Sequence, residues 1–233
     1  MKKFFLDYKS IGIYCLVFSI FLIFPLMGNH AVMVFSENSY PVNNIIIDAG
    51  HGGVDSGAVS CTGVYESHIN LQIAQKLRDL LHLLGIQTVM IRDTDCSVHT
   101  DGSTIASQKI SDIKERVRII NTTPNALLVS IHQNTFQDSR YCGTQVFYNS
   151  FPESKVLATK LQTAFHENLD ASNQRQSKKI VGVYLMEHIN CNGILIECGF
   201  LSNAPEEMKL RDETYQKALS CVIATSLHQY LNT

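Results

Sequence analysis

The sequence predicts an α/β fold, a mostly parallel central sheet flanked by helices in a single domain. Short aliphatic runs alternate with segments whose apolar residues recur at helical spacing. Two of those runs lead into a histidine and a third ends in a glutamate, the pattern of strands carrying polar groups at their carboxyl ends. The chain, 233 residues without a visible repeat, is long enough for one full-sized core. Composition agrees: 45% apolar and 17% charged residues exclude wholesale disorder. Nineteen basic against twenty-one acidic residues give a net charge of -2, which supplies no basic field for nucleic acid, so DNA and RNA are excluded as partners.

Taken in order, Lys2, Lys3 and Lys9 precede residues 11–27, an apolar run without a charge. At seventeen residues it reaches the lower limit for a membrane span, and its lysine flank would stay on the cytoplasmic side. Residues 1–35 therefore read as an N-terminal membrane anchor or signal segment, with the rest of the chain extracytoplasmic. The poor cleavage site in residues 28–33 favours an uncleaved anchor, which makes the membrane a partner. Residues 36–43, polar and containing Pro41, form a linker, and 44–233 form the folded domain.

Within that domain, residues 44–48 are a buried strand that runs into Gly50-His51-Gly52-Gly53. Ile73, Leu77, Leu80, Leu81 and Leu84 mark a helix closed by Gly85. A strand at 87–91 follows, then a helix through Ile110, Ile113, Val117 and Ile120, then strands at 126–131 and 144–148. A helix through Val156, Leu157, Leu161 and Phe165 leads to a polar segment, 168–179. Two more apolar runs, 183–186 and 194–196, precede a closing helix with Tyr215, Leu219, Val222, Ile223 and Leu227. Of seven cysteines, Cys15 lies in the N-terminal run. The other six are irregularly spaced in a domain that needs no staples, so buried thiols suit them as well as bridges do.

His51, His132 and Glu197 each follow or end a strand, and imidazole with carboxylate suits zinc, whose catalytic sites keep three protein ligands and an open position. Glu66, at the start of the first helix, is the best candidate to complete a set, with His68 competing. Glu197 could equally be the structural partner of an arginine. His82 and His228 fall within helices and His99 in a polar loop, and all three read as ordinary residues. His166 begins an HExxH-like string that fails at Asp170, and His188 with Cys191 lacks further ligands. Gly50, Gly52, Gly53 and Gly57 lack the GKS/T of a phosphate loop and read as tight-turn residues.

Together these residues resemble the zinc-dependent N-acetylmuramoyl-L-alanine amidases of bacterial cell walls, the amidase-3 type. Residues 48–58, from Asp48-Ala49-Gly50-His51 to Ala58, are similar to the first metal motif; Glu66 matches the second ligand, 130–134 the third, and 197–203 the catalytic glutamate segment. The resemblance implies one zinc (Zn2+) per chain on His51, Glu66 and His132, with Glu197 as the catalytic acid and base. It implies hydrolysis of the amide between N-acetylmuramic acid and the first L-alanine of the peptidoglycan stem peptide. The compact form, with Gln133, Cys198 and the stretch 173–179, is most similar to sporulation and germination-specific amidases. That implies spore-cortex peptidoglycan as substrate, muramic-δ-lactam formation as outcome, the cortex-facing side of a forespore membrane as location, and an activating accessory protein as a partner. The competing readings are a zinc exopeptidase acting on peptides and a non-catalytic peptidoglycan-binding protein with a structural zinc. Arg92, Arg116, Arg175, Lys178 and Lys179 are either contacts for stem-peptide carboxylates or, the stronger expectation, solvated surface charge. Asn134 is left between substrate and loop backbone.

Overall fold

A computed structural model describes residues 44–232; the anchor and linker expected over 1–43 lie outside the described residues. In chain order the elements are β1 (Asn44–Ala49), α1 (Glu66–Leu83), β2 (Thr88–Met90), α2 (Ile105–Thr122), β3 (Ala126–Asn134), β4 (Gln145–Tyr148), α3 (Pro152–Asn168), β5 (Lys178–Lys179), α4 (Tyr184–His188), β6 (Asn192–Phe200), α5 (Ala204–Arg211) and α6 (Glu213–Leu231). The six strands form one sheet in the order β2-β1-β3-β6-β4-β5. The first four are parallel; β4 runs antiparallel to β6, and β5 follows β4.

The sheet is covered on both faces, so its central strands are aliphatic throughout rather than alternating. Ile45 and Ile47 of β1, Val129 and Ile131 of β3, and Ile194 and Ile196 of β6 pack with apolar residues of α1, α3 and α6. On the opposite face Ile46, Leu128 and Leu195 meet Ile120 of α2 and Leu185 and Met186 of α4. Each such fully buried aliphatic side chain stabilises the fold by about 1.5–3 kcal/mol. The helix boundaries have local causes. Thr104 and Ser107 form a reciprocal capping box at the start of α2. Asn203 and Asp212 cap α5 and α6 by accepting from Glu206 N and Tyr215 N.

Three elements differ from the sequence expectation. The apolar run 183–186 is not extended: after Gly182 it turns into α4, which buries Leu185 and Met186. The edge strand is instead Lys178–Lys179, inside the segment expected to be an irregular polar connection. Its backbone pairs with β4 while both side chains stay in water, so no apolar signal marks it. A separate helix, α5, also precedes the closing one.

Register sets up the functional end of the sheet. Ala49 of β1 aligns with Ile131 of β3, and His132 of β3 aligns with Glu197 of β6. β3 and β6 therefore run on together past the end of β1, and the aligned pair projects from one face of the sheet. An irregularity between His132 and Asn134 then interrupts the pairing.

Candidate metal centre

After β1 the chain turns sharply, with His51 itself in the left-handed region at φ 61°. That turn and the loop to α1 bring His51 over the end of β3. Two glycines make room. A Cβ on Gly50 would lie 2.3 Å from the His132 ring, and one on Gly57 would lie 2.6 Å from Glu66 Oε2. Gly57 also has a φ of +67°, where a side chain is strained.

Glu66, the first residue of α1, lies between the imidazoles. His51 Nε2 is 3.3 Å from Glu66 Oε2, and His132 Nδ1 is 3.0 Å from Glu66 Oε1. One donor atom from each of the three residues lies within 4.8 Å of the others, the only such group of three or more among the described residues. Glu66 is held by fixed donors: Oε2 accepts from Ala58 N, while Oε1 accepts from Gln133 N and Asn70 Nδ2. Burial opposes its ionisation, but the hydrogen bonds and charges of His132 and His51 prevail and hold its carboxyl well below the usual range. His51 Nδ1 meets Asp55 Oδ2 at 2.7 Å, and Lys109 holds the other Asp55 oxygen at 2.7 Å. Despite burial, the hydrogen bonds to Asp55 and Glu66 raise the His51 pKa to about 9. This donor set fits zinc: two imidazoles and an ionised carboxylate converge, and the carboxylate behind His51 Nδ1 leaves Nε2 to face the group.

Glu197 stands beside this group but outside it. Its Oε2 is buried without a hydrogen-bond partner. Burial pushes its pKa up to about 7, with the His132 and His51 imidazoles opposing the rise and the Glu66 charge adding to it. No arginine partners it among the described residues. The strand carboxylate that takes a buried arginine is Asp48 of β1, which accepts from Arg116 Nη1 and from Ser130 Oγ.

Arg116 and Arg92 correct the expectation of solvated charge, since both are only 2% exposed. Arg116 Nη1 donates to the Ala49 carbonyl and Nη2 to the His51 carbonyl, while Nε bonds Asp112. Arg92 donates to the carbonyls of Ala49, Gly50 and Ser67. These two guanidiniums hold the backbone that carries His51. Arg175 lies over the Phe200 ring at 4.7 Å and donates to the Cys142 carbonyl, whereas Lys178 and Lys179 are exposed. The Asn134 carbonyl accepts from Leu201 N. His68 is drawn away to Asp95 at 3.1 Å, and His166, His188 and Cys191 join no metal-binding group among the described residues. The six cysteines of the described residues are all free thiols. Sequence reasoning missed Asn70, which donates both to Glu66 and to the Gly50 carbonyl, and whose own oxygen accepts from Gln133 Nε2. Its position one helical turn after Glu66 was the available signal.

A family model described as N-acetylmuramoyl-L-alanine amidase matches residues 45–229. The germination-specific N-acetylmuramoyl-L-alanine amidase of Bacillus subtilis (strain 168) is 34% identical over 188 residues, 80% of this chain and 78% of that protein. The solved structure of the CwlD amidase from Clostridioides difficile, in complex with the GerS lipoprotein, superposes with a TM-score of 0.79 at 36% identity, covering 82% of this chain and 98% of that one. The structure of an N-acetylmuramoyl-L-alanine amidase from Clostridium difficile 630 gives 0.71 at 30% identity, over 82% and 98% of the two chains.

Proposed function

The chain belongs to the N-acetylmuramoyl-L-alanine amidase family, and from that premise we propose that it cleaves peptidoglycan with one zinc held by His51, Glu66 and His132 and with Glu197 as its base. The observation that carries this reading is the buried, unpartnered Oε2 of Glu197 beside three converging donors. Bound zinc supplies positive charge that polarises the scissile carbonyl and acidifies the attacking water. Glu197, with a pKa near 7, accepts the water's proton as the carbon–oxygen bond forms. It returns that proton to the alanine nitrogen as the carbon–nitrogen bond breaks, releasing a peptide with a free L-alanine terminus. Asp55 fixes the His51 ring, and Ala58 N, Gln133 N and Asn70 fix the Glu66 carboxylate.

The exopeptidase reading fits less well, because no second group of donors accompanies the first among the described residues. A structural zinc would want a fourth protein ligand in place of an acid–base residue alongside.

Glu197→Gln and Glu66→Gln test the roles. The first should retain zinc and lose about 10²–10⁴-fold in turnover. The second should lose zinc affinity, since a neutral amide is the poorer donor. Zinc content and mass spectrometry of the released peptides decide; an active Glu197→Gln enzyme, or one inactive only through loss of zinc, would overturn the assignment.

The finer setting is also proposed. The relatives named germination-specific amidase and CwlD support action on spore cortex toward muramic-δ-lactam, and the GerS lipoprotein bound to CwlD supports an accessory lipoprotein partner here. Residues 1–35 then anchor the chain or direct its export, 36–43 link, and 44–233 work on the cortex-facing side of the forespore membrane. Cortex muropeptides from spores lacking the protein should contain no muramic-δ-lactam; an unchanged lactam content would remove the cortex role and leave the amidase.

A further inference from the structure

Beyond the donor group, the loop joining β3 to β4 carries two exposed aromatic side chains. Phe136 and Tyr141 are 51% and 47% exposed, and their rings contact each other at 4.5 Å between centroids. Tyr141 leans on Phe200, which is 3% exposed, with 6.3 Å between ring centroids. The Arg175 guanidinium lies against both rings, 4.7 Å from Phe200 and 6.0 Å from Tyr141.

The loop is held from several directions. Phe136 N donates to Ser202 Oγ, Asn203 Nδ2 to the Ser139 carbonyl, Gly143 N to Glu206 Oε1, and Arg175 Nε to the Cys142 carbonyl. Its shape is therefore set before any ligand arrives. An aromatic pair held outward in this way presents an apolar surface at little ordering cost on binding.

Its place in the fold says which ligand. Phe136 is four residues beyond His132, hence within about 13 Å of it along the chain. Phe200, the last residue of β6, aligns with Asn134, the last of β3 and two residues before Phe136, so the aromatic cluster sits at the ends of the two strands that bring His132 and Glu197 together. The loop's own charges, the exposed Arg140 and the half-buried Asp138, neutralise each other at 2.7 Å. An aromatic shelf whose neighbouring guanidinium, Arg175, is already committed to the Cys142 carbonyl and Gln145 Oε1 suits the apolar ring face of a sugar better than the carboxylates of a stem peptide. We propose that Phe136 and Tyr141 form a subsite that stacks a sugar ring of the glycan strand next to the muramic acid being cleaved. This inference rests on the amidase reading.

The test uses the full-length zinc-loaded chain and the double variant Phe136→Ala/Tyr141→Ala, with Tyr141→Phe as the conservative control. Both replaced side chains are half in water, so the fold should survive, and circular dichroism verifies it. On a tetrasaccharide bearing stem peptides the double variant should raise KM about tenfold or more with kcat within twofold, while Tyr141→Phe keeps the wild-type KM. The loss should shrink to less than threefold on a single muramoyl peptide. An equal loss on both substrates, a loss that tracks stem-peptide length, or no loss at all would each overturn the subsite. Calorimetry with the peptide-free tetrasaccharide separates the two readings. Binding that the double variant abolishes, in a wild-type chain that releases no peptide, refutes the reaction and keeps the glycan site. Peptide release with no tetrasaccharide binding refutes the glycan site and keeps the reaction.

Discussion

Asn70 shows how much of the proposed metal centre lies outside its three donor residues. Its amide has one orientation consistent with its neighbours, because Gln133 Nε2 donates to Oδ1 and leaves the Nδ2 hydrogens for Glu66 and the Gly50 carbonyl. Asn70→Leu keeps the volume and removes these bonds, so zinc affinity should fall about 10–100-fold, the usual effect of an outer-sphere partner. The loss should be reversed by raising free zinc, which a general folding defect would not allow. Competition with a chromophoric chelator measures it; an unchanged affinity would mean that Ala58 N and Gln133 N suffice to orient Glu66. The contrast with the sequence reading is physical. His51, His132 and Glu197 were legible because each follows or ends an aliphatic strand. The contacts by which Asn70, Arg92 and Arg116 hold the backbone around His51 were not, because backbone carbonyls belong to no side-chain pattern. Arg116 and the His51 carbonyl, for example, are 65 positions apart.

At the level of elements, α2 is joined to β1 through the ion pair of Arg116 and Asp48, both buried. Arg116→Met leaves the Asp48 charge with only the Ser130 hydroxyl and should cost about 3–5 kcal/mol, read from urea unfolding. A cost under 1 kcal/mol would show that the pair is not what seats the helix. The same pair sets a pH dependence. Burial works against ionisation of Asp48, but Arg116 and Ser130 outweigh it and lower its pKa below the ordinary 3.8. A carboxyl depressed in the folded state contributes stability that is fully present above its unfolded pKa and is lost as pH falls through the folded one. Stability should therefore decline below about pH 3.8, and less steeply in Asp48→Asn. Strands β1, β3 and β6 were readable from sequence because strands buried on both faces are continuous apolar runs. The reversal of β4, the two-residue β5 and the helical turn of α4 depend on pairing and on where Leu185 and Met186 find cover, which no local pattern states.

For the molecule as a whole, the proposed zinc would be a ligand of the folded state alone, because its donors come from residues as distant as 51 and 132. At about 100 times its Kd, zinc should add about 2.7 kcal/mol to the unfolding free energy. In a domain of this size that corresponds to roughly 5–10 °C in Tm. Scanning calorimetry of the wild type, His51→Ala and His132→Ala checks this, and a full shift in either variant would place the ion elsewhere. The far side of the sheet has a different kind of consequence. A sheet edge offers unpaired amides and carbonyls on which a second chain can crystallise a strand of its own. Here the outer edge next to β4 is only Lys178 and Lys179, too short to template an extended segment and positively charged where a neighbour would have to lie. Two copies crowded together would therefore repel each other at this edge, so the same two residues that end the sheet also oppose its extension by a neighbour's strand.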